Sequence, residues 1–223
     1  MKPLLSTSDS DAPRRAAIFM SGSGANAERI LEQWHAGDSA NYRIEAIVTD
    51  RPETSRARLL AEQFGVPMIG HDIRAFYRAR GERRISIATE RGREIRASWT
   101  DELRALLAPI GIEFGIFAGF VPLCNIAADF PCLNVHPGDL TVLRDGERHL
   151  VGLHTVPIER AILCGLRSLR SSVILVEPYI AGGGNMDAGP LLGLSPEVPI
   201  DLQGHSLESL QTIAAARPVR RPI

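Results

Sequence analysis

The sequence predicts an α/β fold, with one mostly parallel, twisted sheet carrying helices on both faces. Three observations predict it. Short apolar runs alternate with stretches of helical period from residue 16 to residue 176, the pattern that builds parallel sheets through helical crossovers. The first apolar run ends in a glycine-rich turn, Ser21-Gly22-Ser23-Gly24-Ala25-Asn26, which opens a helix. The chain has 223 residues and is 44% hydrophobic, enough to bury one core of this class.

Taken in order, residues 16–20 form the first strand, bounded by Arg14-Arg15 and by the glycine turn. Residues 25–35 are helical, with Ile30, Leu31 and Trp34 on one face. Residues 44–49 are the second strand, with Asp50-Arg51-Pro52 as its exit. Residues 55–64 are helical and Gly65 is placed to stop them. A short third strand covers 66–69. The stretch 71–96 is rich in arginine and without a strong period. A helix is expected over 73–80, an exposed excursion over 81–93 and a further helix over 99–107.

Residues 112–118 are a strongly apolar fourth strand, followed by a short helix over 123–128. The fifth strand is Cys132-Leu133-Asn134-Val135-His136, stopped by Pro137. Leu133 and Val135 alternate with Asn134 and His136, so one face carries an amide and an imidazole side by side. In an open α/β sheet ligands bind outside the carboxyl ends of strands. An Asn donor and a titratable His there suit stabilisation of charge on a carbonyl oxygen. A pair satisfied locally in a turn is the competing reading.

Residues 137–153 read as a long polar connection and 155–166 as a helix with Thr155 as its cap. His154 and Thr155 lie at that helix start. A sixth strand covers 172–176. A second long loop, 177–189, contains Gly182-Gly183-Gly184. The two long loops are expected to be the mobile parts of the site. Residues 190–199 look extended and 206–215 helical. The expected organisation is a flexible arm over 1–15, one domain over 16–216 and a short tail over 217–223.

The net charge of -1 gives no reason to expect a nucleic acid or an anionic membrane as partner. No apolar run reaches the ~18 residues of a membrane-spanning helix. Cys124, Cys132 and Cys164 lack CxxC spacing and sit in apolar stretches, which reads as reduced core thiols of a cytoplasmic protein and not as a metal site. The turn Gly22-x-Gly24-x-x-Ala27 fits the dinucleotide fingerprint with Ala in third place, and Asp50 lies somewhat beyond the usual ribose-gripping acid. A nicotinamide-dependent dehydrogenase is therefore an alternative. The physical content of the turn is narrower: close backbone approach to an anion at a helix N-terminus, with Asn26 able to cap or to touch it.

The order SGSGAN, VTDRPE, FAGF, LNVHP, GLHT, SSV and MDAGPLL, from residue 16 to residue 199, resembles the phosphoribosylglycinamide formyltransferases and their relatives that use 10-formyltetrahydrofolate. The resemblance implies a Rossmann-like formyltransferase domain. It implies transfer of a formyl group from 10-formyltetrahydrofolate, as cosubstrate, to a primary amine. The amine so implied is glycinamide ribonucleotide of purine biosynthesis or a related phosphorylated or nucleotide-linked amine. It also implies Asn134, His136 and Asp187 as the catalytic trio. Ser23, Gly24, Ala25 and Asn26 would hold the substrate phosphate, and Arg96, Phe120, Val121, Pro122 and Leu123 would line the cosubstrate pocket. A small-molecule amine is the partner so implied, and a homodimer is compatible with it. A non-catalytic binding relative is the remaining alternative. After His-Pro the family runs Ser-Leu-Leu-Pro, whereas this chain has Gly138-Asp139-Leu140-Thr141 and a longer connection to Gly152.

Overall fold

The computed structural model describes residues 12–37, 41–153, 155–178 and 187–217. The expected arm therefore lies largely outside the described residues, as do His154, the glycine triplet and most of the tail. The fold is α/β. Seven strands belong to one mostly parallel sheet. No described helix is long and apolar enough to cross a membrane. The chain divides into two compact units, Met1–Val135 with Leu175–Pro190, and His136–Ile174 with Leu191–Ile223.

The first unit is a wound sheet. Its elements are β1 (Arg14–Met20), α1 (Ala25–His35), β2 (Tyr42–Thr49), α2 (Ala57–Phe64), β3 (Met68–Gly70), α3 (Ile73–Ala79), α4 (Glu90–Leu107), β4 (Phe114–Phe117) and the first residues of β5 (Cys132–His136). The strands pair in parallel in the order β5-β4-β1-β2-β3. The returning segment reaches the same sheet where the Val176 N–H donates to the Cys132 carbonyl at 2.7 Å.

Strand side chains alternate between faces, and the core separates accordingly. Phe19, Val48 and Phe117 pack with Phe76 and Tyr77 of α3 and with Ile95, Trp99 and Leu103 of α4. Ile18, Met20, Ile47 and Ile116 pack on the other side with Ala27 and Leu31 of α1 and Leu60 of α2. The near-continuous burial of β1 follows, since a parallel strand covered on both faces has no wet side.

The arginine-rich stretch departs from expectation. α4 begins at Glu90, not near 99, and runs for 18 residues. Thr89 caps it by accepting the Gly92 N–H at 3.1 Å. Its buried stripe is Ile95, Trp99, Leu103 and Leu107, spaced by one helical turn plus a fraction. Arginines on the other faces conceal that period from a count of hydrophobic residues. The expected helix after the fourth strand is a single 3-10 turn, Asn125–Ala128.

The second unit adds β6 (Leu143–Arg144), β7 (Glu147–Arg148), α5 (Val156–Leu163), β8 (Ser168–Leu169), most of β9 (Ser172–Leu175), β10 (Leu191–Leu194), β11 (Val198–Pro199) and α6 (Leu207–Ala216). The long polar connection is thus partly ordered: β6 and β7 form an antiparallel hairpin. Its turn is Asp145-Gly146, with φ of 53° and 83°, the left-handed pair that a tight hairpin demands. β9 and β10 also pair antiparallel. Thr155 does not cap α5 through its side chain. Ser206 does cap α6, accepting from the Ser209 N–H at 3.1 Å.

Candidate active site

β5 carries the two polar residues that the sequence singles out. Cys132, Asn134 and His136 are its buried positions, and Leu133 and Val135 are the half-buried ones. The polar side is therefore the better-covered side, the reverse of an ordinary amphipathic strand. Asn134 pairs in register with Phe117 of β4. The His136 Nε2 lies 2.6 Å from the Leu150 carbonyl oxygen. A carbonyl only accepts, so the ring nitrogen facing it carries the proton. Asp187 is buried and belongs to the first unit, in its returning segment 175–190.

The glycine turn sits at the carboxyl end of β1. Gly24 is the N-cap residue of α1, with φ 69°, and its carbonyl accepts the Glu28 N–H at 2.8 Å. A Cβ there would meet the Met20 Cε at 2.6 Å, so both backbone and space require glycine. Gly22, Ser23, Ala25 and Asn26 are exposed, which leaves the start of an 11-residue helix open to an anion. No side chain caps it, so Asn26 does not play that part. Ser21, just before the turn, is buried, and its Oγ accepts the Val121 N–H at 2.9 Å.

Asp50 is 1% exposed and hydrogen-bonded by the Ser21 side chain. Burial raises its carboxyl above the ordinary aspartate range, and Ser21 and the nearby Arg51 only partly oppose this. The Arg51 Nε lies 3.5 Å from Asp50 Oδ2. A side chain so enclosed ties the first two strand ends to residue 121; it is not presented to a ribose, which disfavours the dehydrogenase alternative.

Of the cosubstrate residues, Phe120 is a core residue. Its ring lies 5.4 Å from both Phe19 and Phe117 and 6.4 Å from Trp99. Val121 is half-buried and Pro122 buried. Arg96 and Leu123 line one cleft of about 400 Å³ between α4 and residues 123–125. Arg96 lies inside α4, which begins earlier than the expected 99–107, and is 8% exposed. Its Nη1 donates to the Leu123 carbonyl at 2.7 Å. Among the described residues its Nε has no hydrogen-bond partner, and neither does Asn125 Oδ1. An unpartnered buried donor and acceptor on one cleft favour a polar ligand. Thr100, Arg104 and Asn125 also line it, and no local motif announced them.

Two histidines and a thiol lie outside this site. His71 stacks on Trp99 with ring centroids 5.2 Å apart. His149 has its Nε2 3.2 Å from the Cys164 Sγ. Cys164 is exposed, not a core thiol, whereas Cys124 and Cys132 are buried. Burial pushes the Cys124 thiol up to about 11 and raises Cys132 further.

No family model matches the chain, and no curated protein matches it. Solved structures do. The glycinamide ribonucleotide transformylase 1 of Symbiobacterium toebii aligns with a TM-score of 0.64 at 23% identity, covering 91% of this chain and 80% of its own. The phosphoribosylglycinamide formyltransferase of Brucella melitensis aligns with a TM-score of 0.61 at 25% identity, covering 91% and 86%. A formyltetrahydrofolate deformylase from Burkholderia mallei aligns with a TM-score of 0.60 at 18% identity, covering 91% and 60%. The resemblance carried by the motifs thus extends to three dimensions, and over about nine-tenths of its length this chain has the fold of the phosphoribosylglycinamide formyltransferases.

Proposed function

We propose that this protein transfers a formyl group from 10-formyltetrahydrofolate to a primary amine that carries a phosphate, glycinamide ribonucleotide or a relative of it. The observation that carries the reading is β5. Its buried face ends in Asn134 and His136, in a fold shared with formyl-transfer enzymes.

The cosubstrate supplies an electrophilic formyl carbon; the amine nitrogen bonds to it, the bond to folate N10 breaks, and one proton passes from the amine to N10. The Asn134 amide donates to the formyl oxygen as negative charge grows there, a contribution of about 2.7–4 kcal/mol per donor in oxyanion holes. His136 holds and returns the proton. Asp187 is the third member of the trio and positions the group or water through which that proton passes. The cleft at Arg96 takes an acceptor group of the cosubstrate, for which the orphaned Nε–H calls. The exposed turn 22–26 takes the phosphate of the amine.

The test is turnover with 10-formyltetrahydrofolate against a panel of phosphorylated and plain amines, reading tetrahydrofolate release. Amine-dependent release is expected. Release of formate without an amine would place water as the acceptor and overturn the transferase reading. Binding of a folate analogue with no turnover would identify a non-catalytic relative.

A further inference from the structure

We propose that Arg160 and Gly138 are positioning residues for His136. Through the backbone of residues 149–151 they lock its imidazole as the Nε2–H tautomer.

The lock is built within the second unit. The Leu150 carbonyl that meets His136 Nε2 at 2.6 Å belongs to a residue with no solvent exposure. The carbonyls on either side of it, of His149 and Val151, accept from Arg160 Nη1 at 3.1 and 2.9 Å. One guanidinium on α5 thus grips the chain on both flanks of Leu150. The same short segment is held at two further points. The His149 N–H donates to the Val142 carbonyl at 2.9 Å, and the His149 ring contacts Cys164 just past α5.

Gly138 supplies the space. A Cβ on it would lie 2.5 Å from the Leu150 oxygen, 2.8 Å from Pro157 Cβ and 3.0 Å from His136 Nε2. The volume of a side chain is occupied by the hydrogen bond itself. The turn that places Gly138 is fixed by Ser172, whose fully buried hydroxyl donates to the Gly138 carbonyl at 2.7 Å and accepts the Leu140 N–H at 3.0 Å. A serine at 138 would meet these atoms. Fixing one ring nitrogen to a carbonyl sets the tautomer and the orientation of the ring.

That His136 handles the reaction's protons rests on the function proposed above; the tautomer does not. The deciding measurement is long-range 1H–15N NMR of histidine-labelled full-length protein, with His136 assigned through His136→Gln. In the wild type the neutral ring should be the Nε2–H tautomer alone. Arg160→Gln should yield a mixture of tautomers, and Arg160→Lys should restore most of the single form. Gly138→Ala should do more than Arg160→Gln; if it fails to fold, the Arg160 pair still decides. An Nδ1–H or mixed wild-type ring, or an unchanged ratio in Arg160→Gln, would overturn the proposal. In turnover, Arg160→Gln should lower kcat about tenfold, as loss of a histidine-orienting partner does, and displace the pH profile with KM unmoved. A fixed tautomer in a protein that transfers no formyl group would leave the positioning intact and sink the function instead.

Discussion

Arg56 holds Glu28 through two parallel hydrogen bonds of 3.0 Å each. The pair joins α1 to the residue ahead of α2, and Arg56 also reaches the glycine turn. Its N–H donates to the Gly22 carbonyl at 3.1 Å and its Nη1 to the Ser23 carbonyl at 3.2 Å. The guanidinium therefore neutralises a carboxylate in the first turn of α1 and braces the loop before it. Arg56→Ala should weaken binding of a phosphate ester on the order of tenfold, because Glu28 is left facing the incoming anion at a helix start. Calorimetry with a phosphorylated amine checks this, and unchanged affinity would remove the turn from the substrate site.

Gly24→Val should be costly to the fold itself. The residue has φ 69°, and the new side chain would press on Met20 and Leu60. A loss of about 2 kcal/mol or more in unfolding free energy is expected for a β-branched residue under both penalties. Urea denaturation measures it; a loss under half that size would mean that the turn relaxes easily.

His136→Ala and Asp187→Asn should each lower turnover at least about a hundredfold, the scale of a lost acid–base or oxyanion group. Affinity for a folate analogue should stay close to wild type, since these groups act on the transition state. The double variant should fall far short of the product of the singles, as groups acting as a unit do. Multiplicative losses would assign Asp187 a role independent of His136.

His71 makes stability depend on pH. Burial beneath Trp99 and Phe76 pulls its imidazole below the ordinary value of 6.5, and Glu102, 3.9 Å away, opposes this only in part. The unfolded chain then binds the proton more tightly than the folded one. Stability from this residue is full above pH 6.5 and is lost as the pH falls from there through the lowered folded-state value. His71→Phe should flatten the fall in Tm between about pH 7.5 and pH 5. A variant that melts with the wild-type slope would assign that pH dependence to other groups.

Much of the fold was legible because its signals are local. α1 spans the expected 25–35, Gly65 ends α2 in the left-handed region, and β5 covers Cys132–His136. The first half of α4 was hidden by arginines around its buried stripe, although Thr89 three residues before Gly92 marks a cap. The hairpin was missed: Asp145-Gly146 suits its turn, but a long polar stretch masks a two-residue strand. The candidate site was legible as residue types and not as contacts. Asn134 and His136 declare themselves through strand period. What holds His136 is the carbonyl of Leu150, and backbone carbonyls carry no sequence signature. Phe120 shows the converse: a motif residue whose aromatic ring is claimed by the core.

The three cysteines make the molecule report on its own opening. Only the thiolate reacts with alkylating reagents, and the Cys124 thiol, raised to about 11, and the still higher Cys132 are buried in one core cluster with Trp99 of α4 while Cys164 is exposed. At neutral pH the first of these is ionised on the order of one part in ten thousand. A brief labelling pulse should therefore add one mass increment to the folded chain and three to the unfolded one. Any two-increment species would mark a state in which α4 and the 124–132 segment have begun to part, a stopwatch that needs no engineered probe.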